Sequence, residues 1–195
     1  MSVDDLKDLD EETLQDIEAL KRITLEKNGQ EAFAAAQFHI GITLAKNGKR
    51  EDAILILSEI KRKDNLEAYA KSQFNIGKLL YENNDIEGAL EVWCGIKIED
   101  GSDVYAEALF EIGKCVLSRG KLEIEDLDRS IGVWSKIKRY YSIETYTNAQ
   151  YATIIFLALK GDLEAALTIL ENITHSDSPT NFARAHYFLG IVEFR

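Results

Sequence analysis

One short pattern recurs along this chain at nearly constant spacing. An aromatic residue is followed three positions later by glycine at Phe38, Phe74, Phe110 and Tyr187, and a degenerate copy without the glycine begins at Tyr151. The steps between successive aromatic residues are 36, 36, 41 and 36 residues. A period of this length indicates a chain of similar two-element units, each too small to bury its apolar face alone.

A second row of residues repeats with the same spacing. Ala53, Ala89, Ser130 and Ala166 are separated by 36, 41 and 36 residues. The spacing increases by five residues in both rows, between Phe110 and Tyr151 in the first row and between Ala89 and Ser130 in the second. One insertion accounts for both changes if it lies between Phe110 and Ser130, in the third unit. We expect this insertion within residues 120–128, in the turn inside the third unit.

Each unit has the pattern of two amphipathic helices joined by a tight turn. In the first unit, Ile40 and Leu44 lie on one helical face, Asn47-Gly48 is typical of a left-handed helix end, and Leu57 and Ile60 mark the next apolar stripe. The chain has 1 proline in 195 residues, which favours helix almost throughout. We expect the repeated glycines to lie where the two helices of a unit cross, facing the alanines of the second row.

These residues resemble the tetratricopeptide repeat. Ile40-Gly41-x-x-Leu44 followed by Ala53-x-x-x-Leu57 is similar to the family pattern of Leu-Gly-x-x-Tyr followed by Ala-x-x-x-Phe, and the likeness extends over residues 31–195. Glutamine stands where the family has tryptophan in three units, and the period is 36 rather than 34 residues. Sel1-like repeats are a neighbouring class of similar period.

The resemblance implies an all-α fold, a right-handed α-solenoid of about four and a half helix-turn-helix repeats. We expect an acidic amphipathic helix within residues 1–30 and the repeat domain in residues 31–195. The expected units are 31–65, 66–102, 103–143, 144–179 and an incomplete 180–195.

The resemblance also implies that the first helix of every unit lines a concave groove. Mapped onto this chain, the groove places are Phe38, Ile42, Phe74, Lys78, Tyr81, Phe110, Lys114, Tyr151, Ile155 and Tyr187. An aromatic residue in every unit suits the binding of an extended or helical peptide. The alternative is that these aromatic residues only pack one helix against another.

The last helix carries more apolar residues than one neighbouring helix could cover. We expect Phe188, Ile191 and Phe194 to form a surface for self-association or for a further repeat. The chain is therefore a candidate homo-oligomer through its C-terminal helix.

The charge of the chain excludes some classes of partner. A formal net charge of −11 repels phosphate backbones, so we expect no nucleic-acid partner, and no apolar run is long enough for membrane insertion.

We expect a cytoplasmic protein whose two cysteines, Cys94 and Cys115, are buried and reduced. The three histidines lack metal-ligand spacing and no nucleophile or phosphate-binding motif is seen, so we expect no metal, no cofactor and no enzymatic activity.

The sequence thus predicts an adaptor or scaffold that binds a protein or peptide segment in the groove. Two alternatives remain open. One is an acidic repeat chaperone that holds an export cargo, and the other is a structural unit that assembles with itself.

Overall fold

The computed structural model describes residues 9–115 and 123–193, and all regular structure within these ranges is helical. The helices are α1 (Glu11–Lys21), α2 (Leu25–Lys46), α3 (Arg50–Ser58), α4 (Leu66–Glu82), α5 (Ile86–Cys94), α6 (Ser102–Cys115), α7 (Ile124–Trp134), α8 (Ile143–Leu159), α9 (Leu163–Leu170) and α10 (Pro179–Glu193), with a 3-10 turn at Ile98–Asp100. The predicted fold class, an all-α chain of helix-turn-helix repeats, is confirmed.

The chain divides into two compact units, an N-terminal unit (Met1–Val104) and a C-terminal unit (Tyr105–Arg195). In the N-terminal unit α2 pairs with α3 and α4 with α5, and α3 packs against α4. In the C-terminal unit α8 pairs with α9, and α10 packs against both.

Equivalent turns close the first helix of three pairs. Gly48, Asn84 and Gly161 have φ values of 76°, 64° and 82°, in the left-handed region that glycine and asparagine tolerate best. Asp85 and Asp162 then cap the second helices by accepting hydrogen bonds from the backbone of Gly88 and Ala165. The left-handed end expected at Asn47-Gly48 therefore recurs through the chain.

The repeated glycines allow a large side chain of the second helix to lie against the first helix. A Cβ atom on Gly77 would be 2.3 Å from the indole nitrogen of Trp93, and a Cβ on Gly113 would be 2.2 Å from that of Trp134. Each indole N–H donates to a backbone carbonyl of the first helix, at 3.0 and 3.1 Å. The nearest atoms thus belong to these tryptophans, and to Leu57 opposite Gly41. In the third pair the second-row residue also lies against the glycine, since the Ser130 hydroxyl donates to the carbonyl of Gly113 at 2.8 Å.

The fourth pair, whose sequence lacks the repeated glycine, is packed differently. Ile154 occupies the glycine place and is fully buried in a cluster with Ala166, Ile173 and Leu189. The equivalent of the two tryptophans is Leu170, which packs against this cluster.

The predicted insertion is partly visible as additional helix. Ala89 is the fourth residue of α5, whereas the equivalent Ser130 is the seventh residue of α7. Helix α7 therefore has one more turn at its N-terminus. Residues 120–122 of the predicted insertion lie outside the described residues.

The core of the N-terminal unit extends into α1. Ile17 is fully buried together with Ile40, Leu44 and Leu57, so the first helix covers the apolar face of the first repeat. Of the two cysteines, Cys115 is buried as expected, but the expectation was wrong for Cys94, which is exposed at the C-terminal end of α5.

Two equivalent ion pairs join successive repeats, one within each unit. Arg62 contacts Asp100 at 2.9 Å, and Arg139 forms an ion pair with Asp177. Both carboxylates are buried, with side-chain exposures of 0% and 4%. Arginine and aspartate are 38 residues apart in each pair, which is one repeat plus two residues.

Candidate partner-binding clefts

The predicted groove residues lie on the first helices of the pairs, and several also contact the core of their own unit. Phe74 lies 6.3 Å from Trp93 and Phe110 lies 5.7 Å from Trp134, measured between ring centroids. Phe38 packs against the core of the N-terminal unit. All three remain partly exposed. They therefore contribute to helix packing and keep one surface accessible.

The two predicted groove lysines lie over aromatic rings. The ammonium nitrogen of Lys78 is 5.8 Å from the centroid of Phe74, and that of Lys114 is 5.6 Å from the centroid of Phe110. Lys114 also contacts Glu111 at 2.7 Å. A cation over a ring face is attracted by the ring quadrupole, so each lysine is held close to its own helix.

The remaining predicted groove residues differ in exposure. Ile42, Tyr151 and Ile155 are half-buried, whereas Tyr81 is 36% exposed and Tyr187 is 73% exposed. On α10, Ile191 is 42% exposed, Phe188 packs against the core of the C-terminal unit, and Phe194 lies outside the described residues. Self-association through α10 stays a prediction.

Each unit contains a cleft between two successive first helices. The N-terminal cleft lies between α2 and α4 and has a volume of about 300 Å³. Its lining is Glu31, Ala35, Phe38, His39, Asn65, Glu67, Ala68 and Lys71.

The C-terminal cleft lies between α8 and the start of α10 and has a volume of about 550 Å³. Its lining is Ile143, Glu144, Thr147, Asn148, Asp177, Ser178, Pro179, Thr180, Asn181 and Arg184.

The two clefts occupy equivalent places in the repeat. Glu31 and Glu144 are 113 residues apart, and so are Lys71 and Arg184, which equals the sum of the repeat steps between the two places. Each cleft thus carries a carboxylate on one wall and a cation on the other. In the N-terminal cleft the cation is already paired with Glu67, one helical turn away.

The floors of the clefts differ in chemistry. Asn181 is 5% exposed, and its amide nitrogen donates to Asn148 Oδ1 at 2.7 Å and to Thr147 Oγ1 at 3.3 Å. The places of Thr147, Asn148 and Asn181 are taken by alanines, Ala34, Ala35 and Ala68, in the N-terminal unit. The N-terminal cleft therefore has an apolar floor beside Phe38, and the C-terminal cleft has a polar one.

The sequence analysis placed Phe38 in the groove but did not identify Asn181 or Arg184. The alignment of the repeats offers only a weak signal for Arg184, because its place holds a cation in two of the five units, at Lys71 and Arg184. The polar floor could not be found in this way, because only Thr147 departs from a repeated alanine, while the places of Asn148 and Asn181 vary from repeat to repeat.

No helix in the described ranges is both long and apolar enough to cross a bilayer. Among the same residues, no three histidine, cysteine, aspartate or glutamate side chains are grouped as a metal site requires.

Comparison with known proteins concerns the fold. No protein-family model matches the chain, and no curated protein sequence matches it. Two crystal structures of MamA are similar to it. One is 17% identical, with a TM-score of 0.57, and the match covers 96% of this chain and 98% of the MamA chain. The other is 18% identical, with a TM-score of 0.54, and the match covers 82% of this chain and 80% of the MamA chain. This likeness supports a tetratricopeptide-like helical-repeat fold.

Proposed function

We propose that this protein is a scaffold for protein–protein interactions that binds a segment of a partner along the first helices of its repeats. The observation that carries this proposal is the presence of two equivalent clefts, one in each unit, with the same placement of carboxylate and cation. Clefts between repeats with a few polar groups on an apolar wall are suited to peptide side chains.

The chemistry of the clefts supports two kinds of contact. In the N-terminal cleft, Phe38 and the alanine floor favour an apolar side chain of the partner. In the C-terminal cleft, the amides of Asn148 and Asn181 with Arg184 favour polar or acidic groups. We therefore expect apolar partner groups in the N-terminal cleft and polar or acidic partner groups in the C-terminal cleft.

The predicted groove residues extend the binding surface beyond the clefts. Tyr81 and Tyr187 expose aromatic surface on the same helices, and Lys78 and Lys114 offer cations held over rings. Aromatic and cationic side chains are over-represented where protein partners bind tightly.

Site-specific photocrosslinking tests this function and captures the partner in the same step. Ala35 in the N-terminal cleft and Arg184 in the C-terminal cleft are replaced, one at a time, by p-benzoylphenylalanine in the native cell. Ala19, exposed on α1 outside the repeats, serves as the matched control position. We expect a common partner to be crosslinked from the two cleft positions and not from Ala19.

Blocking variants complete the test. Ala35→Arg fills the N-terminal cleft. It should reduce recovery of the partner that is crosslinked from position 184, whereas Ala19→Arg should leave that recovery unchanged. Equal crosslinking from all three positions, or recovery insensitive to Ala35→Arg, would contradict binding in the clefts.

A further inference from the structure

A different pocket lies in the C-terminal unit, among α7, α8, α9 and the segment that joins α7 to α8. Its volume is about 410 Å³. The isoleucines Ile131, Ile137 and Ile169 supply apolar lining, and Gln150 lines the same pocket. We call it the Gln150 pocket. It shares no lining residue with the C-terminal cleft, although Arg139 of the pocket forms an ion pair with Asp177 of the cleft.

Gln150 is a buried polar side chain whose hydrogen bonding is incomplete. The residue is 8% exposed, and among the described residues its amide oxygen has no hydrogen-bond partner. Burying an amide without a partner is unfavourable, and such groups are rare in folded proteins. A guest that offers a peptide group can satisfy it, because a primary amide and a main-chain peptide group each carry one donor side and one acceptor side.

The rim of the pocket is cationic in a chain that is otherwise acidic. Between Asp128 and Glu144 there is no acidic residue, while Arg129, Lys136, Lys138 and Arg139 carry positive charge, against a net charge of −11 for the whole chain. Lys138 and Arg139 line the pocket.

Arg139 keeps binding capacity although it is paired with Asp177. Its side chain is 55% exposed, and a guanidinium has five N–H donors. Lys138 donates to the carbonyl of Ser135 at 2.9 Å and is also exposed. Both cations can therefore meet an acidic group at the rim.

Aromatic side chains complete the rim. Tyr140 is 81% exposed, and its ring lies 4.7 Å from that of Tyr141 in an edge-to-face arrangement. Tyr146 lines the pocket beside Gln150, and burial raises the pKa of its hydroxyl above the usual value. Tyrosine and arginine around an apolar centre are the composition of a protein-binding hot spot.

We propose that the Gln150 pocket binds an extended peptide segment of a partner protein in which an apolar side chain is flanked by aspartate or glutamate. The apolar side chain lies against Ile131, Ile137 and Ile169, and the peptide main chain pairs with the amide of Gln150. The flanking carboxylate meets Lys138 and Arg139. This site is separate from the clefts of the proposed function, so either can fail without the other.

The experiment uses a displayed library of short random peptides, selected on the full-length protein and counter-selected on Gln150→Leu. We expect the selected peptides to carry Asp or Glu beside Ile, Leu or Val. Synthetic copies should lose about tenfold in affinity for Gln150→Leu, the effect of one buried hydrogen bond, in a fluorescence polarisation titration. Lys138→Glu should weaken binding about fivefold, and less at high salt.

The N-terminal unit provides matched controls. Gln73 is the repeat equivalent of Gln150, and Lys61 is the equivalent of Lys138, with the same hydrogen bond to a serine carbonyl, that of Ser58. Gln73→Leu and Lys61→Glu should leave the affinity unchanged. Circular dichroism checks the fold of each variant, and if Gln150→Leu does not fold, the exposed Lys138→Glu decides the test.

Several results would overturn the proposal. Selection of neutral or basic peptides, or of none, would show that the pocket does not bind acidic and apolar segments. Equal affinity for wild type and Gln150→Leu would place binding elsewhere. If Gln150→Leu changes only self-association in light scattering, the occupant is a second copy of this chain and the proposed peptide site is wrong.

Discussion

Arg62 in the N-terminal unit and Arg139 in the C-terminal unit occupy equivalent places in the repeat but have different surroundings. We call each arginine, its ion-paired aspartate and the residues around them an arginine corner. Arg62 lies over the ring of Tyr69 at 5.1 Å, donates to the carbonyl of Gly95 at 2.9 Å and contacts Asp100 at 2.9 Å. Arg139 forms the equivalent ion pair with Asp177 and lines the open Gln150 pocket. The same arginine therefore covers its corner in one unit and leaves it accessible in the other.

The residues around the two arginines are largely the same. Equivalent pairs are Ile54 and Ile131, Ser58 and Ser135, Ile60 and Ile137, Lys61 and Lys138, Tyr69 and Tyr146, and Gln73 and Gln150. Four pocket residues differ: Tyr140, Thr153, Ile169 and Asn172 take the places of Lys63, Ile76, Val92 and Gly95. We infer that Gly95 contributes to the difference in accessibility, because glycine has no side chain to block the approach of the Arg62 guanidinium to its carbonyl oxygen. The contact with Gly95 is thus one feature that separates the packed surroundings of Arg62 from the open Gln150 pocket.

The largest expected effect is that of Asp100→Ala. Asp100 is 2% exposed, pairs with Arg62 and accepts a hydrogen bond from the backbone of Lys97 at 2.9 Å. Removing one partner of a buried ion pair costs about 3 kcal/mol of unfolding free energy. Urea denaturation followed by circular dichroism measures this loss.

Asp177→Ala is the matched control for that variant. Arg139 is more exposed than Arg62, with side-chain exposures of 55% and 32%, so water can replace more of the lost contact. We expect the smaller loss for Asp177→Ala. Equal losses would mean that the two corners do not differ in packing.

The second prediction concerns a feature that the two units share. Gly77→Ala and Gly113→Ala each place a Cβ against an indole ring that is fixed by a hydrogen bond to the first helix. Because the ring must shift, each variant should lose about 2 kcal/mol. Thermal unfolding measures the loss.

Gly132→Ala, in α7, is the control, because a Cβ there meets no atom within 4 Å. It should stabilise the chain by up to about 1 kcal/mol, the helix propensity gain of alanine. If only one of the two indole-facing variants is destabilised, the units differ in their helix pairs as well as in their corners.

The third prediction tests the unpartnered amide. Gln150→Leu replaces a buried polar group by an apolar one of similar size, and it should leave the stability unchanged or raise it by about 1 kcal/mol. Gln73 is half-buried, so Gln73→Leu should have a smaller effect. A loss of more than about 1 kcal/mol in Gln150→Leu would show that the amide has a structural partner.

The helix pairs could be predicted from sequence, whereas the corners could not. The residues that repeat every 36 positions, such as Ile40 and Trp93, are buried, because equivalent helices pack together in each repeat. That the tryptophan ring lies against the glycine was not predicted, because spacing alone does not give the direction of a long side chain.

The Gln150 pocket was missed for a different reason. Lys61-Arg62 and Lys138-Arg139 are identical in sequence, and the partners of the two arginines lie a repeat away. Which carbonyl or carboxylate a flexible guanidinium contacts depends on the packing of both repeats. A pattern within one repeat does not contain this information.

The smallest expected effect is a pH dependence of the Arg139 corner. The hydrogen bond from Arg139, with a further one from Thr174, holds the pKa of the Asp177 carboxyl below its ordinary value of 3.8. A depressed folded-state pKa means that the ion pair stabilises the fold above about pH 4, and that this contribution is lost as the pH falls through the folded-state value. In urea denaturation, Arg139→Gln should therefore be less stable than wild type at neutral pH, and the difference should shrink as the pH falls below about 4. A difference that stays constant with pH would assign the effect of Arg139 to packing, and the Arg139 corner would then resemble that of Arg62.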